Sequence, residues 1–233
     1  MGELVLDSSG APGIPNALSV DSGGHVPIVH RPAAFGQRGI YRATLTSLGI
    51  SGGGGAGVII WSLGPVYPAS PARLVLVNSI KVSAVITSVI TTAALMDFGL
   101  FVFRNGGLIT TVGSGGTLFS PMPAQQQQLR SSMGGSTSTI AICGTPANNA
   151  GSTDTNPIAR VMGFSGTAVG TQVFSPTTVT LYQRDQPDNY PIILTNTGGN
   201  TCDRLVITTA NAGPATGVFT ITVAVEWEET VAY

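Results

Sequence analysis

The sequence predicts an all-β protein, a two-sheet antiparallel β-sandwich of jelly-roll-like form with an extended N-terminal arm. Three observations carry that expectation. The stretch Gly217–Glu228 alternates strictly: Phe219, Ile221, Val223, Val225 and Trp227 share one parity, while Thr220, Thr222, Ala224, Glu226 and Glu228 share the other. That period of two is a strand with one buried face, and its β-branched and aromatic residues agree with it locally. Upstream of it, short apolar runs recur from Val58 onward with Gly, Pro, Asn and Asp between them, which is turn chemistry between strands. No amphipathic helix longer than about two turns can be drawn anywhere. Long loops and the absence of a Cys…Trp…Cys pattern favour a jelly roll over an immunoglobulin-like sandwich.

Taken in order, residues 1–57 form the arm and residues 58–233 the sandwich. The arm is punctuated by Ala11-Pro12-Gly13-Ile14-Pro15 and by Ser51-Gly52-Gly53-Gly54-Gly55, and no period persists through it, so it cannot build a core of its own. Its scattered apolar residues, Leu4, Val5, Leu6, Ile14, Val26, Ile28, Val29 and Ile40, are the candidate partner-binding anchors. Two readings are open: an arm ordered only against a partner, or a loosely attached tail with one edge strand near Gly39–Leu48.

Val58–Leu63 reads as a short strand, followed by the proline-stiffened link Pro65–Pro71. Arg73–Thr91 places Leu74, Leu76, Ile80, Val82, Ala84, Ile86 and Ile90 on one parity. It is too long for one ordinary strand, so a bulge or bend is expected near Asn78-Ser79. Phe98–Arg104 is continuously apolar and closes on Asn105-Gly106-Gly107, a hairpin signal. Residues 113–136 are a polar insertion whose run Gln125–Gln128 reads as a solvated loop or one helical turn. Thr137–Cys143, Val161–Phe164, Val173-Phe174, Thr177–Arg184, Pro191–Thr195 and Arg204–Thr209 are the remaining strand candidates before the last one. The total comes to about eight to ten strands.

Composition narrows the function. Charged residues are 9% of the chain, against about 25% in an average domain. Polarity comes from Thr, Ser, Asn and Gln, whose desolvation with a partner costs far less than that of a charge. Net charge is −1, and Lys and Arg form no cluster, so nucleic acid is disfavoured as a partner. Leu74–Leu100 is broken by Asn78 and Lys81, which disfavours a membrane span; the first residues lack the basic and apolar regions of a signal peptide. Cys143 and Cys202 both end strands, without metal-ligand spacing. They read as buried thiols, and a disulfide is open to them if their strands are neighbours.

No reaction chemistry assembles. His25, His30 and Asp21 have no shared face for a metal. Gly163-Phe164-Ser165-Gly166-Thr167 fails the nucleophile-elbow pattern at its last position. Glu226 with Glu228, and Asp185 with Asp188, read as a wet sheet face and a turn. Gly52–Gly55 lacks the Lys-Ser/Thr of a phosphate loop. Trp61 and Trp227 read as core or interface anchors. The expectation is a protein that is not an enzyme, with no catalytic residue, no metal and no cofactor.

The C-terminal third carries a resemblance. Pro191-Ile192-Ile193-Leu194, then Asp203-Arg204-Leu205-Val206-Ile207, then Gly217-x-Phe219 running to Val223-Ala224-Val225-Glu226-Trp227-Glu228-Glu229 resembles the end of small virion structural proteins of tailed bacteriophages. Leu74–Thr91 leading into Phe98–Arg104 is similar to their middle strands, and the likeness covers roughly residues 58 to 229. It implies a virion coat component on the outer surface of the phage head, made in the host cytoplasm. The leading expectation is a capsid decoration (cement) protein that binds the major capsid protein and itself, as a homotrimer. On that reading the arm is cut by protease in the free protein and protected on the particle. A tail, neck or head-fibre appendage, with receptor- or glycan-facing loops at 113–136 and 144–157, is the alternative. A carbohydrate-binding sandwich using Trp61 or Tyr182 is a third reading.

Overall fold

The alternating C-terminal stretch forms a central strand of one of two antiparallel sheets. In a computed structural model the described residues are 38–52, 57–65, 73–106, 117–119, 126–128, 136, 138–147, 156–185, 190–198, 201–211 and 213–231. Their strands are β1 (Arg38–Thr46), β2 (Ile50–Ser51), β3 (Ile59–Pro65), β4 (Arg73–Ser88), β5 (Leu95–Gly106), β6 (Thr117–Phe119) and β7 (Gln126–Gln128). There follow β8 (Ser138–Ala147), β9 (Ala159–Phe164), β10 (Val179–Gln183), β11 (Ile192–Leu194), β12 (Asn196–Gly198), β13 (Thr201–Thr209) and β14 (Val218–Val231). The described residues contain no helix.

The first sheet runs β10-β4-β14-β1-β7 and the second β6-β8-β3-β13-β5-β9. Set aside the short strands and β8, and number the other eight along the chain. One sheet then reads first, eighth, third, sixth, and the other second, seventh, fourth, fifth. That interleaving is the double Greek key of a jelly roll. The insertion between β5 and β9 adds β8 and β6 beside β3, and β7 beside β1. The glutamine run, expected as a loop or a helical turn, is therefore a strand. It takes the open backbone edge of β1, with Tyr41 opposite Gln128 and Ala43 opposite Gln126. β1 itself lies inside the segment expected as an arm, at the place of the possible edge strand, and is paired on both sides, to β14 and β7.

The two sheets bury their faces differently. In the first, alternation is clean: Tyr41, Ala43 and Leu45 point inward while Arg42, Thr44 and Thr46 are exposed. Thr46 and Thr222 share a hydroxyl hydrogen bond on the wet side at 2.9 Å. Phe219, Ile221, Val223, Val225 and Trp227 are all buried, each contributing about 1.5–3 kcal/mol before entropy is subtracted. Phe98 of the second sheet meets Phe219 of the first at 6.2 Å and Phe174 edge-on at 5.9 Å. Trp61, Leu63, Leu100, Leu205 and Ile207 share the interior face with Phe98. The opposite face of that sheet, with Ile60, Ser62, Ala141, Arg204 and Val206, is buried too, each at 0% exposure. Double burial is why β3, β5 and β13 read as apolar runs rather than alternating ones.

β4 bears out the expected irregularity and corrects its consequence. Its register against β14 skips Asn78, since Trp227 pairs with Val77 and Glu226 with Ser79. One extra residue reverses the parity. Val75 and Val77 therefore point inward before the bulge, and Ile80, Val82, Ala84 and Ile86 after it. Leu74 and Leu76, expected on the inner parity, are half-buried instead. The thiol question is answered by strand order. β3 stands between β8, which carries Cys143, and β13, which carries Cys202. Strands two apart lie about 10 Å from each other, beyond the reach of a disulfide.

Candidate functional site

Of the eight candidate anchors, Ile40 lies half-buried in β1 opposite Glu228. Leu4, Val5, Leu6, Ile14, Val26, Ile28 and Val29 lie outside the described residues, as do His25, His30, Asp21 and Asp188. Among the described residues no three His, Cys, Asp or Glu side chains gather where a metal could sit. Ser165 of the failed elbow pattern is a structural clamp: it is buried, its backbone N–H donates to Ala94 O, and its Oγ accepts from Ala94 N at 2.8 Å.

The described carboxylates are engaged in holding the sandwich together. Glu226 pairs with Arg42 at 3.0 Å across β14 and β1. Glu228 accepts from Asn78 Nδ2 at 3.1 Å and faces Arg184 Nη2 at 3.5 Å, while Asp185 lies 3.7 Å from Arg184. Arg160 Nε donates to the buried Asp97 at 2.7 Å, and its Nη2 meets the other carboxylate oxygen. That bidentate hydrogen bond raises the arginine's pKa. Asp203 accepts from Arg104 Nη1 at 3.0 Å and from Thr195 Oγ1 at 2.9 Å.

Glu229 is the member the sequence did not single out. It continues the inward parity of β14 past Trp227 and is 1% exposed. Its Oε1 accepts from Ser138 Oγ at 2.7 Å, Ser138 N at 3.2 Å, Trp227 Nε1 at 3.1 Å and Ser136 Oγ. A carboxylate of the first sheet is thereby tied to β8 of the second. The parity alone could have located it. The identity of its serine donors, about ninety residues away in sequence, could not be read.

A groove of about 510 Å³ opens where β5, β10 and β11 come together, within the range of small-molecule clefts. Buried Val102, Tyr182 and Ile192 line its depth, and exposed Arg104, Tyr190 and Ile193 its mouth. Tyr182 Oη donates to Tyr190 O at 2.9 Å and accepts from Ile192 N at 3.2 Å, which fixes the lip of the groove. Burial pushes the Tyr182 phenol up from 10.0. Tyr190 is 88% exposed. The groove offers apolar contact and a guanidinium already paired with Asp203. Trp61, by contrast, is fully buried and presents no ring face to a sugar.

A second surface feature is β9, the edge strand of the second sheet, where Met162 is 59% and Phe164 71% exposed. An edge strand with apolar side chains facing water is a template for association. No protein-family model matches this chain, and no curated protein matches it in sequence.

Proposed function

We propose that this chain is a non-enzymatic structural subunit of a phage virion, a decoration protein that seats on the major capsid protein shell as a homotrimer. The observation that carries the reading is the use of its charges. Each described carboxylate contacts a donor of its own chain, which leaves an outer surface polar mainly through hydroxyls and amides. Such a surface desolvates at modest cost against a neighbour. The jelly-roll strand order supports it, because that architecture recurs in viral coats. So does the exposed apolar edge of β9. The test is to mix purified protein with capsids that lack it, sediment them and count copies by cryo-EM. Hundreds of ordered copies per particle are expected; failure to bind any shell overturns the reading.

The groove favours a second reading, a head-fibre or tail appendage that touches a receptor or glycan through Tyr190 and Arg104. A dozen or fewer copies per particle, with cell attachment lost in Tyr190→Ala, would select it over decoration.

A further inference from the structure

The strands that end the two sheets are β7 and β10 in the first and β6 and β9 in the second. β6 and β7 are three residues long, and β10 is interrupted by a register shift between Thr180 and Tyr182. β9 alone of these four is both long and regular, six residues matched one for one with β5. Its sequence, Ala159-Arg160-Val161-Met162-Gly163-Phe164, holds no proline or lysine, and its one charge, Arg160, is turned onto Asp97. Short length, a bulge, a proline and a free charge, the usual ways of blunting a sheet edge, are all missing from it. The phase of the ladder tells which backbone groups this edge offers. Ser165 N–H donates to Ala94 O at 3.0 Å, one step beyond the pair Phe164 and Leu95. Hydrogen-bonded positions alternate in an antiparallel pair. Ser165, Gly163 and Val161 therefore bond toward β5, while Phe164, Met162 and Arg160 turn their N–H and C=O groups outward. Among the described residues no strand and no backbone hydrogen bond takes those groups. The side chains of the same three residues alternate with buried Val161, which stands opposite the core residue Phe98. They share the outer face of the sheet, where Met162 and Phe164 lie open to water.

We propose that β9 pairs antiparallel with β9 of a second copy of this chain, about a two-fold axis through Met162, so that two copies of the second sheet become one continuous sheet. The occupant follows from the order of residues in the strand itself. With the axis at Met162, the outward backbone groups of one copy meet those of the other in register and form about six hydrogen bonds. The same register sets Arg160 of each copy opposite Phe164 of the other, on one face. Asp97 holds the guanidinium in place while the arginine side chain stays 48% exposed. Its free face receives the incoming phenyl ring as a cation–π contact. Met162 meets its own copy between two such pairs. On the inner face, Val161 of each copy comes opposite Gly163 of the other, so no two large side chains collide there. A two-fold contact uses each complementary pair twice. This inference does not rest on the virion reading. In a trimeric assembly it joins one trimer to the next, because a two-fold axis closes on two chains.

The test is residue-resolved hydrogen exchange of the full-length protein at concentrations rising to about 1 mM, the weak end of specific association. The amides of Arg160, Met162 and Phe164 should slow on the order of tenfold or more as the mass doubles in sedimentation velocity. Those of Val161 and Gly163, already bonded to β5, should keep their rates. Two substitutions at one exposed position then check the register. Phe164→Lys sets cation against cation and should weaken pairing on the order of tenfold. Phe164→Glu offers Arg160 a carboxylate instead and should leave pairing within about threefold of the parent protein. A hydrophobic patch without that register would lose association equally in both. Unchanged exchange at the three outward amides, equal loss in the two variants, or protection that arrives only when capsid protein is added would each overturn the proposal. The last of these outcomes would assign the edge to a foreign strand.

Discussion

Glu229 shows how a single side chain can join two layers. Its Oε1 collects donors from Ser136, Ser138 and Trp227, and hydrogen bonds to an ionised acceptor contribute about 1.5–3 kcal/mol each. Glu229→Gln keeps the shape and an acceptor oxygen for those donors but replaces the carboxylate with a neutral amide, which weakens each bond. Unfolding in urea should show a loss of about 2–3 kcal/mol, with little change in slope. Burial raises the pKa of Cys202 above 9.0 and that of Tyr182 above 10.0. The native state thus favours the neutral thiol and phenol. Their contribution is complete below about pH 9 and is lost as pH rises through the folded values, where the unfolded chain already ionises. Urea midpoints should fall as pH rises from about 9 to about 11, and Cys202→Ala should flatten the first part of that fall. At this scale the sequence was readable where period decides, as for Trp227 and Trp61, both buried. It was silent where burial depends on a remote partner, as for Glu229 and Arg204.

The bulge in β4 governs more than its own turn of backbone. It lets Val75 and Val77 on one side and Ile80 and Val82 on the other serve one core. Deleting Asn78 would leave a plain strand with both sets still facing inward, whereas deleting Ser83, outside the bulge, sends either Ile80 and Val82 or Ala84 and Ile86 to solvent. For the Ser83 deletion the expected result is loss of the cooperative transition, or a destabilisation above about 4 kcal/mol, seen in thermal melts, while the Asn78 deletion should keep a cooperative melt. Gly217 precedes β14 at φ +84°, and a Cβ there would sit 2.5 Å from Ile90 Cγ1 and 2.7 Å from Val89 O. Gly217→Ala should therefore cost about 2–3 kcal/mol, from the left-handed backbone and the crowding together. Long elements were readable: Gly217–Glu228 is β14 nearly to the residue, and Arg204–Thr209 lies within β13. The pieces of two or three residues, β2, β7 and β12, carry no periodic signal. They are strands because a neighbour offers an open backbone edge, and the bulge's reversal of parity likewise shows only in the register.

For the whole molecule, the class could be read from alternation and turns, whereas the order of strands is a property of remote pairing. β14 lies between β4 and β1 over most of its length, so a chain ending at Gly217 should give no native β signature by circular dichroism. A folded, protected truncation would contradict that. So many distant pairings also place refolding in the slow range of small β proteins, milliseconds to seconds or longer, which stopped-flow fluorescence of Trp61 and Trp227 can time. The first described strand is sealed by the last, with Thr46 against Thr222 across 176 residues. A ribosome adding about 5–20 residues per second needs roughly 10–35 s to cover that interval. Throughout it, β1 travels with a bare flank while its own mate is still unmade. On a message carrying several ribosomes, nascent siblings carry that same bare flank at once, and sparser ribosome loading should favour closure of each chain on itself.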